Sequence, residues 1–163
     1  MKKVILWLCL IFVIAGCYQI GRDAGYAEGF EAGLLAPRPI PKPASGTLLS
    51  GKKYSSSSIT VTAGTSQDYV VSLKFKTGAE CLAFYVAAGD TVTVGVPSNT
   101  LYAYFASGDN WYGYEKGLMF GEDTQYSRDE NPLDFSNYTW EYTLYPVEDG
   151  NFTEKPISED DFF

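Results

Sequence analysis

Few residues in this chain could do chemistry, and the densest group is a loop. Gly108-Asp109-Asn110-Trp111-Tyr112-Gly113-Tyr114 sets three aromatic rings, Trp111, Tyr112 and Tyr114, beside the polar side chains Asp109 and Asn110. Flat rings stack on the apolar faces of sugars, while carboxylates and amides bond to their hydroxyls. Used in this way, the loop presents Trp111 and Tyr112 to solvent. The opposing possibility is that Trp111 folds back as a lid on the open end of the domain. A second group is acidic: Glu122, Asp123, Asp129, Glu130, Asn131 and Asp134. Calcium takes six to eight oxygens, which such a stretch can supply together with backbone carbonyls. The spacing does not match an EF-hand loop, so the alternative is a solvated acidic loop. No other cofactor is indicated. Paired carboxylates also serve glycosidases, but a domain this small has little room to enclose a substrate cleft.

The chain of 163 residues contains no histidine, which removes Ser-His and Cys-His nucleophile systems and the commonest zinc ligand. Cys81 has no histidine base to activate it, and its reading is a buried structural thiol. Cys9 and Cys17 lie in the amino-terminal segment, so no disulfide within the outer domain is expected. The expectation is a binding protein, not an enzyme. Net charge is −8, and −10 if Lys2 and Lys3 leave with a signal peptide. A surface of that sign repels phosphate backbones, so nucleic acid is not an expected partner.

The elements that must hold these groups are strands. Ile59, Val61 and Ala63 alternate with Thr60 and Thr62, and Val71, Leu73 and Phe75 alternate with Ser72, Lys74 and Lys76. Leu82, Phe84 and Val86 form a third set, Val92, Val94 and Val96 a fourth, and Tyr138, Trp140, Tyr142 and Leu144 a fifth. A period of two with one apolar face is the pattern of half-buried antiparallel strands. Turn residues separate the sets at 76–78, 88–90, 97–99 and 107–110. The expected fold is an all-β, antiparallel sandwich of about seven to eight strands over residues 47–163, ending in an acidic tail. Phe162 and Phe163 at the end of that tail would gain by docking on the domain. Asn137-Tyr138-Thr139 and Asn151-Phe152-Thr153 match the glycosylation acceptor pattern and are read as coincidences.

Residues 36–46 alternate proline with other residues at Pro37, Pro39, Pro41 and Pro43, which makes an extended linker and marks the domain boundary. Before it, residues 18–35 carry Gly21, Gly25, Gly29 and Gly33 at four-residue spacing. On a helix these form one side-chain-free strip, suited to homo-oligomer association through a stalk. Each glycine also weakens a helix by roughly 1 kcal/mol, so a lone, frayed helix is the competing reading.

Residues 1–17 place Lys2 and Lys3 before a short apolar run that ends Ile14-Ala15-Gly16-Cys17. This end resembles the lipobox of bacterial lipoproteins, and the resemblance implies lipidation of Cys17 after cleavage. The other reading is an uncleaved anchor from Val4 to Ile20. Under either, the chain sits at the cell membrane with its bulk on the extracytoplasmic side, because the lysines stay inside. A second resemblance rests on Ala88-Gly89-Asp90-Thr91-Val92-Thr93-Val94-Gly95-Val96-Pro97, on Tyr102 to Gly108, on Trp111-Tyr112-Gly113, on Phe120 to Thr124 and on Tyr138-Thr139-Trp140. Together these resemble an uncharacterised domain of exported or membrane-attached proteins of Gram-positive (Firmicutes-like) gut bacteria, over roughly residues 47–163. That resemblance implies a bacterial source and an all-β fold, and it carries no activity and no site residues.

Two functions follow as expectations. One is a cell-surface module binding a glycan or cell-wall polymer through the aromatic loop. The other is a structural or protein-interaction subunit of an envelope assembly, joined through the glycine strip.

Overall fold

Strands whose two faces differ in polarity can pack on one side only, and strands apolar on both faces need cover on both. This chain has both kinds, and the difference organises its two sheets. The structure, a computed structural model, describes residues 37–145 and 154–163. Cys17, the stalk glycines Gly21, Gly25, Gly29 and Gly33, and the apolar amino-terminal run lie outside the described residues.

Residues Pro39–Phe163 form a unit by themselves, and among the described residues its regular structure is nearly all strand. Ten short strands succeed one another: β1 (Leu48–Gly51), β2 (Ser57–Ala63), β3 (Asp68–Lys74), β4 (Glu80–Val86), β5 (Thr91–Val96), β6 (Thr100–Gly108), β7 (Gln125–Asp129), β8 (Leu133–Asp134), β9 (Trp140–Leu144) and β10 (Glu154–Pro156). A single turn of helix, α1 (Glu159–Phe162), follows. The five alternating sets in the sequence fall on β2, β3, β4, β5 and β9, while Phe75 stands just beyond β3 and Tyr138 stands outside β9 and is 63% exposed.

The larger sheet runs β1-β4-β3-β6-β7-β10, with β8 paired to β6, and its pairs are antiparallel. The smaller sheet runs β5-β2-β9. Here the expectation of a purely antiparallel sandwich needs correction, because β2 and β9 pair in parallel, with Ile59 beside Trp140 and Ala63 beside Leu144. Alternation records which face is buried and says nothing of strand direction.

The main core lies where the inward residues of both sheets meet. It joins Ile59, Val61, Val94 and Tyr142 of the small sheet to Val71, Leu73, Phe84 and Phe105 of the large one. Phe105 and Tyr142 meet edge-on at 5.4 Å. The outer face of the small sheet is polar, and there Thr60 bonds Thr93 at 2.9 Å and Thr62 bonds Thr91 at 3.0 Å across the strands.

The outer face of the large sheet is apolar as well, at Val70, Ala83, Tyr85 and Ala106. It is covered by Trp111, Met119 and Phe120 from the β6–β7 connection and by Phe162 from the tail. The tail is held by several contacts. Ser158 and Asp161 form a reciprocal cap, Tyr126 donates to Glu159 at 2.8 Å, and the Gly117 amide donates to the same carboxylate at 2.7 Å. The proline-rich segment also lies on this unit from Pro39 onward, so it is not a free spacer along its whole length. The Ile40 amide donates to the Trp111 carbonyl at 2.8 Å, and Lys42 pairs with Asp68 at 2.6 Å. Asp68 is nearly buried and also accepts from the Tyr85 hydroxyl at 2.6 Å and the Ala88 amide at 2.9 Å. Burial alone would raise its carboxyl, but these donors outweigh it and hold the carboxyl below its ordinary value.

Candidate functional site

The aromatic loop is built inward. Trp111 is only 4% exposed, packed edge-on against Tyr85 at 5.4 Å and against Phe120 at 5.5 Å. Its indole therefore cannot offer a face to a sugar, and the expectation that Trp111 is exposed is corrected. It folds back, as the lid alternative had it, but onto the outer face of the large sheet instead of an open end. The reason is tertiary: that face is apolar and must be covered. Tyr112 is half-buried, its ring against Gly121. The Tyr114 hydroxyl donates to Glu80, and burial together with that carboxylate pushes the phenol well above its usual value. Asp109 and Asn110 are exposed. The structure thus separates the two polar residues from a buried indole.

The acidic residues are dispersed. Asp129 is buried and accepts from the Asn131 amide at 2.9 Å and the Tyr142 hydroxyl at 2.6 Å. Asp134 accepts from the Ser136 amide at 2.9 Å and the Asn137 side chain at 3.1 Å, which holds its carboxyl down. These are turn-fixing bonds of the Asx kind. Glu122 and Asp123 are exposed in another loop. Among the described residues no three of His, Cys, Asp and Glu gather as a metal site. Cys81 is buried and free, and burial raises its thiol.

A better-formed site lies on the large sheet beyond the cover. Register places Ser72, Tyr104, Arg128 and Lys155 side by side across β3, β6, β7 and β10. Cross-strand partners share a face, so these four side chains leave the sheet on the same side. The tail residues Ile157, Ser158 and Asp161 stand opposite, and between them runs a groove of about 640 Å³ that Tyr104, Arg128 and Lys155 line. Lys74 is buried next to it, its ammonium 4.7 Å from the centre of the Tyr104 ring and donating to the Asp161 carbonyl at 3.3 Å. Burial lowers this lysine's pKa, and the carboxylates of Glu80 and Asp161 partly restore it.

Three cations thus surround one groove in an acidic chain, and their partners differ. Lys155 pairs loosely with Glu130 at 3.4 Å. Asp161 is engaged by Ser158, whose hydroxyl donates at 2.7 Å. Arg128 forms none of the salt bridges among the described residues, and its Nε is buried without a hydrogen-bond partner. A buried donor left unpaired costs roughly 1–3 kcal/mol, and more when the group is charged.

The sequence reading missed this groove entirely. The signal available was the alternation of Tyr126 and Arg128 with Ser127 and Asp129, which sets an arginine on the same face as aromatic residues. Only the pairing of β7 with β6 and β10 shows that Tyr104 and Lys155 join it. The chain matches no protein-family model, no curated protein and no solved structure.

Proposed function

We propose that this protein is a membrane-anchored, extracytoplasmic binding module, not an enzyme, and that it takes a glycan or cell-wall polymer in the Tyr104–Arg128–Lys155 groove. The groove is the observation that carries the reading. Its volume falls in the range of small-ligand sites, an aromatic residue, Tyr104, lines it, and polar groups converge on it from strand and tail. The anchor rests on the basic and apolar amino terminus, whose two forms, lipidated Cys17 or an uncleaved segment, place the module on the same side.

The test is binding of the purified full-length chain, kept in a non-glycosidic detergent, to a broad panel of glycans and envelope polymers. Saturable binding that Tyr104→Ala weakens, in a variant that melts like the parent, is the expected result. Binding indifferent to Tyr104, or no binding across the panel, would overturn the reading.

A second reading has its own observation. β9 is an edge strand of the small sheet among the described residues, and Tyr138 and Tyr145 beside it are 63% and 48% exposed. An edge strand flanked by exposed rings suits a protein partner that docks along it, as in an envelope assembly. Loss of a co-purifying envelope protein in a Tyr138→Ser, Tyr145→Ser double variant would favour it, and unchanged co-purification would set it aside.

A further inference from the structure

We infer that the groove recognises a single oxyanion, carboxylate or phosphate, carried on an otherwise uncharged saccharide, and that Arg128 is the group that grips it. The inference rests on the binding reading above and names the chemistry of the ligand at the same site.

Four observations converge. First, the guanidinium is a fixed fork of five donors, suited to two oxygens of one acid group. Among the described residues it forms no salt bridge and its buried Nε has no hydrogen-bond partner, although the chain has 20 acidic residues and 12 basic ones. Second, the tail carboxylate Asp161 accepts from the Ser158 hydroxyl and amide at 2.7 and 3.3 Å and caps α1; Arg128 helps to hold its pKa down but forms no salt bridge with it. Third, Lys155 is the cross-strand neighbour of Arg128, and its own partner Glu130 stands at 3.4 Å with both side chains about half exposed. An exposed pair of that kind is worth little and yields readily to a competing anion. Fourth, the rest of the lining is suited to a sugar body: the Tyr104 ring, the apolar Pro156 and Ile157, and the Ser158 hydroxyl.

The net charge of −8 restricts the ligand further. A long polyanion would be repelled by a chain of that net charge, whereas one acid group can sit between Arg128 and Lys155, on the side of the groove opposite Asp161. Acid-bearing sugars fit this description whether the acid is a uronate carboxylate or a phosphate monoester. Their shared chemistry is a pair of oxygens for the arginine fork and a ring for Tyr104.

The experiment is calorimetric titration of the full-length chain in non-glycosidic detergent with galacturonate, with galactose as its neutral counterpart, and with galactose 1-phosphate and inorganic phosphate. The expected result is binding of galacturonate or galactose 1-phosphate at least tenfold tighter than galactose. Arg128→Gln should abolish that preference, and Arg128→Lys should restore it only in part, since an ammonium cannot grip two oxygens at once. Binding of the acid sugars should weaken with added salt. If inorganic phosphate alone binds as tightly as the sugar phosphate, the sugar body contributes nothing and the inference falls. Equal binding of neutral and acidic sugars would leave the glycan-binding reading standing and refute the oxyanion. Unchanged preference in a folded Arg128→Gln variant would refute the role of Arg128, and a thermal melt of that variant matching the parent's checks that any loss is not a folding defect. No binding by any acid sugar overturns the inference outright.

Discussion

Replacing Phe162 by alanine separates the attachment of the tail from the stability of the rest of the domain. The Phe162 ring is fully buried, 5.2 Å from Tyr126 and 5.4 Å from Phe163, and the Lys74 ammonium lies 5.8 Å from its centre. Truncating a buried phenylalanine costs about 3–5 kcal/mol. The remaining attachments of the tail are small by comparison. The Ser158 cap is worth about 1 kcal/mol, and each Glu159 hydrogen bond about as much. The exposed Lys116–Asp160 pair at 2.5 Å adds little. Ordering residues 157–163 costs about 1–2 kcal/mol per residue, so the docked state has no large surplus to lose. Phe162→Ala should therefore release the tail while the core between the sheets, which Phe162 does not enter, stays folded. Hydrogen exchange is the assay: the amides of Ile157, Phe162 and Phe163, which donate to Tyr126, Ser158 and Glu159, should lose protection, while those of β2 and β3 keep it. Because Ile157, Ser158 and Asp161 form one side of the groove, ligand affinity should fall in step. Protection of the Phe162 and Phe163 amides at the parent level in the variant would refute this account of the tail.

Other perturbations test the rest of the structure. Trp111→Ala should destabilise the domain by about 3–5 kcal/mol, read as a lower urea midpoint, because it empties a buried site against Tyr85 and Phe120. An unchanged midpoint would mean the indole is not packed as described. Asp68 is held below its ordinary pKa in the fold, so its contribution is fully present above the unfolded value near 3.9 and is lost as pH falls through the lower folded value. The stability gap between parent and Asp68→Asn should therefore shrink below about pH 4, and a gap independent of pH would count against the Lys42–Asp68–Tyr85 cluster. Tyr142→Phe removes a donor from the buried Asp129 carboxylate and should cost about 1–3 kcal/mol by denaturant unfolding. The Cys81 thiol, raised by burial, should react with a disulfide reagent only slowly until urea is added.

What could be read from the sequence divides along the two sheets. β2, β5 and β9 have one apolar and one polar face, so Thr60, Thr62, Thr91 and Thr93 stand out against Ile59, Val61, Val92 and Val94 and the strands declare themselves. On β3 and β4 the inner residues Val71, Leu73, Leu82 and Phe84 were equally legible, but the outer residues Val70, Ala83 and Tyr85 gave no sign of a second buried face. The placement of Trp111 follows from that second face. Its glycine and asparagine neighbours announce a loop correctly, and only the uncovered apolar sheet beneath explains why the loop turns inward. The groove was illegible for a related reason. Ser72, Tyr104, Arg128 and Lys155 come from four strands scattered along the chain, and no local pattern unites residues that only sheet register brings together.

The parallel pairing of β2 with β9 also constrains when the chain can fold. β2 is among the first strands and β9 among the last, so their ladder closes a loop that contains most of the domain. Ile59 and Val61 have β5 on one side early in synthesis, but their other edge stays open until Trp140 to Leu144 are present. The outer face of the large sheet waits longer still, for Phe162. A chain that lacks everything from Trp140 on has an open edge on β2 and an outer cover without Phe162 at once, so folding by so distant a closure is slow.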